Sequence, residues 1–403
     1  MLRELAGPGT RLHPVVKADA YGHGAIPVAR ALEAAGADGL CVAALDEAMA
    51  LRRAGLVSPI LVLYPIPPAL AGEAAGDGIA VTAGDRDLLL GLLAGLASLT
   101  SLGGGAPSLA IHLEVETGLG RGGFAGSELL DAAQGIEAAP GASLAGLWTH
   151  LQAPEDAPRT TAQLERFERA ATALESAGIR LPERHLAASG GLLLYGVASL
   201  DGARPGLAVY GLVPDELLGG DGPSGIDAPP IRAAAARLRP ILSLHARPVR
   251  VTDLPAEWGI GYGPTFTTAR PSRIATLPLG YGDGWPRSLS NRATVLVRGW
   301  RVPLVGNVAM DAVMADVTDV PGPPVGVGDE FVLLGVQGEE RITAADLAAA
   351  RGTNSWEVVT GLSARLPRVY HAASVPRETR TLVADEVGPG GRSDRERARR
   401  PRR

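Results

Sequence analysis

Eight times in about 210 residues a short apolar run is followed by an amphipathic stretch of helical period, and this alternation constrains the fold more than any other feature. The candidate strands are Pro14–Val16, Leu40–Ala44, Ile60–Leu63, Ile79–Thr82, Leu109–Val115, Leu144–Thr149, Arg184–Ala187 and Gly202–Arg204. Between them lie helical segments such as Ala25–Ala35, Asp85–Leu99, Ser127–Ala138 and Thr160–Ala177. Strand-then-helix units build parallel sheets, and eight of them close into an α/β barrel of the (β/α)8, TIM-like kind. Gly219–Pro230, reading GGDGPSGIDAPP, has the composition of a linker. Beyond it the helical signal fades to Thr343–Ala350 and Trp356–Ser363. Ile241–Thr252, Arg273–Leu279, Ala293–Val297, Val302–Leu304, Val313–Val317 and Glu330–Leu334 read as strands separated by turns. The expected organisation is a barrel over 1–218, a linker over 219–239, a mostly β domain over 240–384 and a tail over 385–403. The last twelve residues hold seven Arg against Asp394 and Glu396, with no apolar period, which is the composition of a disordered, solvated terminus.

A length of 403 residues is itself too great for one ordinary domain. The net charge of -5 gives no general attraction to nucleic acid, so no nucleic-acid partner is expected. No charged leader followed by an apolar stretch is present, and no apolar run is long enough to span a bilayer, so a cytoplasmic location without membrane contact is expected. Cys41 is the only cysteine, which excludes disulfide scaffolds and cysteine-rich zinc sites; no metal is expected.

Of 38 Lys and Arg residues only Lys17 is lysine. Arginine serves for surface charge, ion pairs and phosphate contacts. It does not serve for imine formation, which needs an amine able to lose its proton. A lone lysine in a chain otherwise converted to arginine is a candidate for covalent chemistry. The barrel reading puts it in polar company. Lys17 ends the first strand, Arg121 follows the fifth in TGLGRGG, His150 ends the sixth, Ser189 follows the seventh in AASGG, and Arg204 ends the eighth and opens RPGLAVYG. Active sites of such barrels lie at the C-terminal strand ends, with phosphates near the last two loops. Gly190, Gly191 and Gly206 would let backbone N–H groups approach a phosphate closely.

The segment VVKADAYGHG, Val15 to Gly24, resembles alanine racemases, which are fold-type III pyridoxal-phosphate enzymes. The likeness continues through VETGLGRGG, WTH, HLAASGG, RPGLAVYG, GIGYGPTF, LPLGYGDGWPR, GNVAMD and LSARLPR. It implies a barrel followed by a β domain, in a head-to-tail homodimer with shared active sites, acting on a small amino acid. It implies that Lys17 carries pyridoxal 5'-phosphate and serves as one acid/base group, with Tyr262 of the partner subunit as the other. Tyr21 and Ser189, with the backbone of Gly206 and Leu207, would hold the phosphate. Arg204 would face the pyridine nitrogen with His150 behind it. Arg121 would contact the cofactor phenolate and the substrate carboxylate, and Met310, beside Asp311, would offer a backbone N–H to that carboxylate. Tyr281, Glu155 and Arg287 would line the approach. D-alanine for peptidoglycan is the implied product.

The chemistry of these roles is coherent. Racemisation removes a proton from one face of the α-carbon and returns one to the other, so one base per face suffices. An arginine at the pyridine nitrogen cannot supply a proton, which weakens the electron sink and disfavours transamination. A tyrosine base needs nearby positive charge to lower its ordinary pKa of about 10.

Three positions depart from the common family pattern. Glu114 stands where many members have a lysine, often carbamylated, that orients the arginine matching Arg121; a permanent carboxylate is expected to replace it, through water or a shifted Arg121. Ala364 stands where a phosphate-contacting tyrosine often sits, a lost charge-assisted bond of about 1.5–3 kcal/mol. Ala309 replaces a frequent cysteine. Sixteen residues precede Lys17, where relatives usually have a longer segment whose strand joins the β domain, so the β domain is expected to lack an edge partner. Serine or broader specificity, and a non-catalytic pyridoxal-phosphate-binding relative, are the alternatives.

Overall fold

The computed structural model describes residues 1–101, 108–195, 200–218, 233, 236–372, 374–381 and 385–387. The chain divides into two compact units, one of Met1–Tyr21 and Ala25–Arg239, the other of Gly22–Gly24 and Pro240–Arg403. The linker segment 219–230 and the tail beyond residue 387 lie outside the described residues.

The first unit is an eight-stranded parallel sheet. Its strands are β1 (Arg11–Leu12), β2 (Leu40–Val42), β3 (Ile60–Val62), β4 (Ile79–Ala83), β5 (Leu109–Glu114), β6 (Ala142–Trp148), β7 (Arg184–Ala187) and β8 (Gly202–Ala203), in the order β1-β8-β7-β6-β5-β4-β3-β2. A parallel bridge between Val15 and Cys41 joins the chain just after β1 to β2 and closes the barrel. The first strand begins earlier than Pro14–Val16 and is interrupted at Pro14, which has no N–H for the ladder. Leu12 to Val15 still hold register: the His13 N–H donates to the Ala203 carbonyl and the Val15 N–H to the Pro205 carbonyl. β2 and β3 are buried throughout, as strands covered on both faces must be.

The barrel interior is partly polar. His13, His112, His185 and Glu183 fill it, and three glycines make the room. A Cβ on Gly39 would lie 2.5 Å from His13 Nδ1, one on Gly146 2.5 Å from His112 Nδ1, and one on Gly202 would overlap Glu183.

The second unit is antiparallel. β9 (Leu244–Ala246) pairs with β15 (Phe331–Gln337). The main sheet runs β10 (Arg250–Leu254), β11 (Ser272–Leu277), β14 (Val313–Asp316), β13 (Trp300–Val305), β12 (Thr294–Val297), β15 and β16 (Glu340–Ile342). The single strand expected over Ile241–Thr252 is two strands in different pairings, with Pro248 between them. The β12–β13 hairpin turns on Arg298 and Gly299, both at positive φ, which suits the twist of a two-residue turn. A further sheet of β17 (Arg368–Ala372), β18 (Val375–Arg380) and β19 (Asp385–Val387) was not foreseen, and its last strand corrects the expectation of a disordered tail from residue 385. The helix Ala344–Arg351 starts on a reciprocal cap, Thr343 Oγ1 accepting from the Asp346 N–H at 3.1 Å and Asp346 Oδ2 from the Thr343 N–H at 2.8 Å.

Candidate active site

The barrel strands deliver their following residues to one end, and the charged groups gather there. Lys17 follows the Val15 bridge, Arg121 lies in the loop after β5, His150 follows β6, Ser189 follows β7 and Arg204 follows β8. Lys17 is half-buried. Burial, then Arg121, then Arg204 hold its ammonium below the usual range, while Glu47 and Cys41 act in the other direction. An amine so placed gives up its proton more readily than a surface lysine. His150 is pushed down to about 3 by burial and by Arg204, Arg121 and Lys17, so its imidazole is neutral.

Lys17 opens a turn that no sequence pattern announces. Ala18, Asp19, Ala20 and Tyr21 have φ of 52°, 54°, 54° and 52°, a left-handed turn built entirely from L-residues. Each such residue costs roughly 1–2 kcal/mol. Bonds that hold it include the Ala18 N–H to Glu47 Oε1 at 2.6 Å, the Ala25 N–H to Asp19 Oδ1 at 2.8 Å, and the Ala20 N–H to the Val16 carbonyl at 2.9 Å. Glu47 was not among the sequence candidates.

Arg204 is almost fully buried, and its partners differ from expectation. Its guanidinium bonds His185, while His150 is near enough for Arg204 to be the first charge that lowers its pKa. One guanidinium nitrogen donates to His185 Nδ1 and, at 3.0 Å, to the His185 carbonyl; the other donates to the Thr149 carbonyl at 2.8 Å. The guanidinium also lies 4.6 Å from the centre of the Trp148 ring. His185 Nε2 meets His112 Nδ1 at 2.9 Å. Burial and Arg204 keep His185 far below the ordinary imidazole pKa, and burial pushes His112 down to about 4. Burial also lowers Arg204, to about 10, which leaves it a cation at neutral pH. His185 stands inside HLAASGG, but a histidine beside a more familiar serine gives no signal of its own.

Ser189, Tyr21 and Gly206 come together. Ser189 Oγ accepts from the N–H groups of Gly206 at 2.9 Å and Ala208 at 3.1 Å. A Cβ on Gly206 would lie 2.6 Å from the Tyr21 hydroxyl. At Gly190 and Gly191 packing also asks for glycine: a Cβ there would meet Pro154 at 2.6 Å and Leu151 at 3.3 Å. Leu207 starts a short 3-10 turn, Leu207–Tyr210. Burial raises the Tyr21 phenol above its usual range, so it is a hydroxyl donor rather than a phenolate.

Glu114 reaches Arg121 directly, Oε1 to Nη2 at 3.1 Å, so no bridging water is needed. The guanidinium stands 5.5 Å from the Tyr64 ring centre. Burial raises Glu114 above the usual carboxylate range, and Arg121 opposes that shift. Glu155 keeps a buried Oε2 without a hydrogen-bond partner among the described residues.

In the second unit, Tyr262 is 83% exposed on a loop tied down by Asn307, whose amide donates to the Tyr262 carbonyl at 2.9 Å and the Gly263 carbonyl at 3.0 Å. Tyr281 and Met310 belong to adjoining turns: the Tyr281 N–H donates to the Ala309 carbonyl at 3.0 Å and the Gly282 N–H to the Met310 carbonyl at 2.9 Å. Arg365 clamps them, bonding buried Asp283 at 2.8 Å and also Asp311. Arg287 is exposed and opens the turn Arg287–Leu289, and Ala364 is exposed beside Arg365. Asn307, Asp283 and Arg365 were missed in the sequence because each acts through another residue.

A closed parallel barrel with its charged groups collected at one mouth is the build of an enzyme. Residues 1–214 match the family description "Alanine racemase, N-terminal domain" and residues 241–370 match "Alanine racemase, C-terminal domain". An alanine racemase of Symbiobacterium thermophilum is 44% identical over 362 residues, 89% of this chain and 90% of that protein. The crystal structure of alanine racemase from Bacillus anthracis with bound L-Ala-P superposes with a TM-score of 0.84 at 32% identity, covering 95% of this chain and 94% of that one. That of Streptomyces coelicolor A3(2) gives 0.80 at 35% identity, over 92% and 93%. The chain belongs to the alanine racemase family, and it is an isomerase.

Proposed function

We propose that this protein interconverts L-alanine and D-alanine with pyridoxal 5'-phosphate held at Lys17. The observation that carries the reading is the state of the chain's only lysine: half-buried at the barrel mouth, its pKa lowered by burial, Arg121 and Arg204.

The residues present suit that cofactor. Lys17 offers an amine, the Tyr21 and Ser189 hydroxyls and the backbone around Gly206 suit a phosphate, and Arg204 presents a fixed cation to a ring nitrogen. Bound there, the cofactor supplies an electron-withdrawing system that acidifies the hydrogen on the substrate α-carbon. Arg121, steadied by Glu114, binds the substrate carboxylate, with the Met310 backbone as second donor. Lys17 takes or returns the α-proton on one face and Tyr262 does so on the other. Arg204 cannot hand a proton to the ring, so proton return is directed to the α-carbon.

The exposure of Tyr262, at 83%, and of Met310, at 53%, on braced loops supports a homodimer in which these residues serve the partner's barrel. Among the described residues no helix is long and apolar enough to cross a membrane. We place the reaction in the cytoplasm, feeding D-alanine to peptidoglycan synthesis.

The test follows the α-proton of L-alanine by NMR in D2O with purified protein and added pyridoxal phosphate. Loss of that proton with appearance of D-alanine, both abolished by Lys17→Arg, is the expected result. Exchange of serine or a larger amino acid but not alanine would change the substrate. No exchange with any of them, from folded protein carrying the cofactor, would overturn the proposal.

A further inference from the structure

The left-handed turn behind Lys17 needs a cause, because four consecutive L-residues at positive φ do not arise from local preference. Glu47 supplies one. It sits in the first turn of the helix Leu45–Arg53, and its two oxygens divide their work. Oε1 takes the Ala18 N–H at 2.6 Å, while Oε2 takes the N–H groups of Ala43 at 2.8 Å and Ala44 at 3.1 Å. All three contacts are donors, so the site demands an acceptor at both oxygens. An ionised carboxylate meets that demand and an amide cannot. We propose that Glu47 is a positioning residue for Lys17, locking the turn that carries it from the end of β2.

This rests on the proposed role of Lys17. An ordinary helix N-terminus would account for the bonds to Ala43 and Ala44, but the bond to Ala18 joins residues 29 apart and lands on the residue after the lysine. The electrostatics agree with the geometry. Lys17 is faced by Arg121, Arg204, Cys41, Glu47 and the neutral His150, and Glu47 is the carboxylate that supports its protonated form against the two arginines. Glu47 therefore sets both where the amine points and how readily it loses a proton.

Because Lys17 is the only lysine, an amine-acylating probe reads it alone once the Met1 peptide is resolved. The experiment uses the full chain freed of cofactor, acetylated with dilute acetic anhydride across pH, with Lys17 and Met1 followed by peptide mass spectrometry. Glu47→Gln should move the Lys17 midpoint to lower pH and leave that of Met1 in place. After dilution of the loaded protein, borohydride added at intervals fixes whatever cofactor still sits on Lys17, and the fraction counted by mass should decline about tenfold faster in Glu47→Gln and Glu47→Ala than in the parent, the equivalent of one lost charge-assisted bond. Placing glycine at Ala18 and Ala20 in the Glu47→Ala chain should recover much of that loss, since glycine adopts positive φ without penalty. A helix cap alone would not be rescued from those positions.

An unmoved midpoint in folded Glu47→Gln, or loss of retention that glycine at 18 and 20 fails to recover, would overturn the proposal. Neither readout requires turnover. Failure of the racemase reading would appear instead as absent α-proton exchange in the parent.

Discussion

Removing the Glu114 carboxylate is expected to slow the reaction without unfolding the protein. Glu114 is 6% exposed and meets Arg121 at 3.1 Å, whereas the Arg121 side chain is 37% exposed. A charge-assisted bond of this kind is worth about 1.5–3 kcal/mol when shielded, and solvent around Arg121 reduces that to about 1–2 kcal/mol. If the ion pair is needed in the transition state, kcat/KM for alanine should fall about 5–30-fold in Glu114→Ala. Arg121 keeps the Tyr64 ring, so the loss should be graded rather than total. Stability should move the other way. The folded pKa of Glu114 is raised by burial, so its charge costs stability at neutral pH, and the cost disappears as pH falls through that raised value. Glu114→Gln should therefore match or exceed the parent in Tm at pH 7 while being slower. Its kcat/KM profile should also lose an acid limb that lies above the ordinary carboxylate range in the parent. The sharpest assay is Glu114→Lys. If the carboxylate stands in for a lysine carbamate, this variant should be weak alone and gain activity with bicarbonate, to which the parent is indifferent. Parent-like activity in Glu114→Ala, or a Glu114→Lys variant blind to bicarbonate, would refute the reasoning.

The buried histidines should make the fold acid-sensitive. His112 and His150 are lowered to about 4 and about 3, and burial and Arg204 hold His185 well below the ordinary imidazole value, so their stabilising neutrality is complete above the unfolded pKa of about 6.5 and is lost as pH falls from there towards the folded values. Each adds a slope of about 1.4 kcal/mol per pH unit, and urea melts of His112→Asn against the parent between pH 6.5 and 4.5 should show the shallower dependence in the variant. Gly206→Ala puts a methyl 2.6 Å from the Tyr21 hydroxyl, and cofactor titration should show at least a several-fold weaker Kd; an unchanged Kd would remove Tyr21 and Gly206 from the phosphate site. Asn307→Ala releases two carbonyl bonds on the Tyr262 loop, so kcat should drop more than KM rises, and a parent-like kcat would show the loop to be held by other means.

Much of the barrel was legible because its causes are local. Ser127–Ala138 is a helix with the bounds read from its period, and β7 matches Arg184–Ala187. The rarity of lysine singled out Lys17 before any neighbour was known. The strand set of the second unit was read less well. Pro248 split one expected strand, and β16, β18 and β19 carry too many charged residues to show an apolar alternation. Among site residues, Glu114 and Arg121 lie in direct contact, a relation that the family resemblance implied and that the residues alone did not announce.

Periodicity made the parallel barrel and the β-rich unit after it readable, and the intrinsic chemistry of one side chain marked the residue able to do amine chemistry. That Arg204 bonds His185, that Glu47 reaches the turn after Lys17, and that Ala18 to Tyr21 run left-handed came from the folded chain. Alanine has no preference for positive φ, and a glutamate 29 positions away carries no mark of its target. Such features exist because closure of the barrel brings distant donors and acceptors into reach, and burial then makes each unmet bond too costly to leave open.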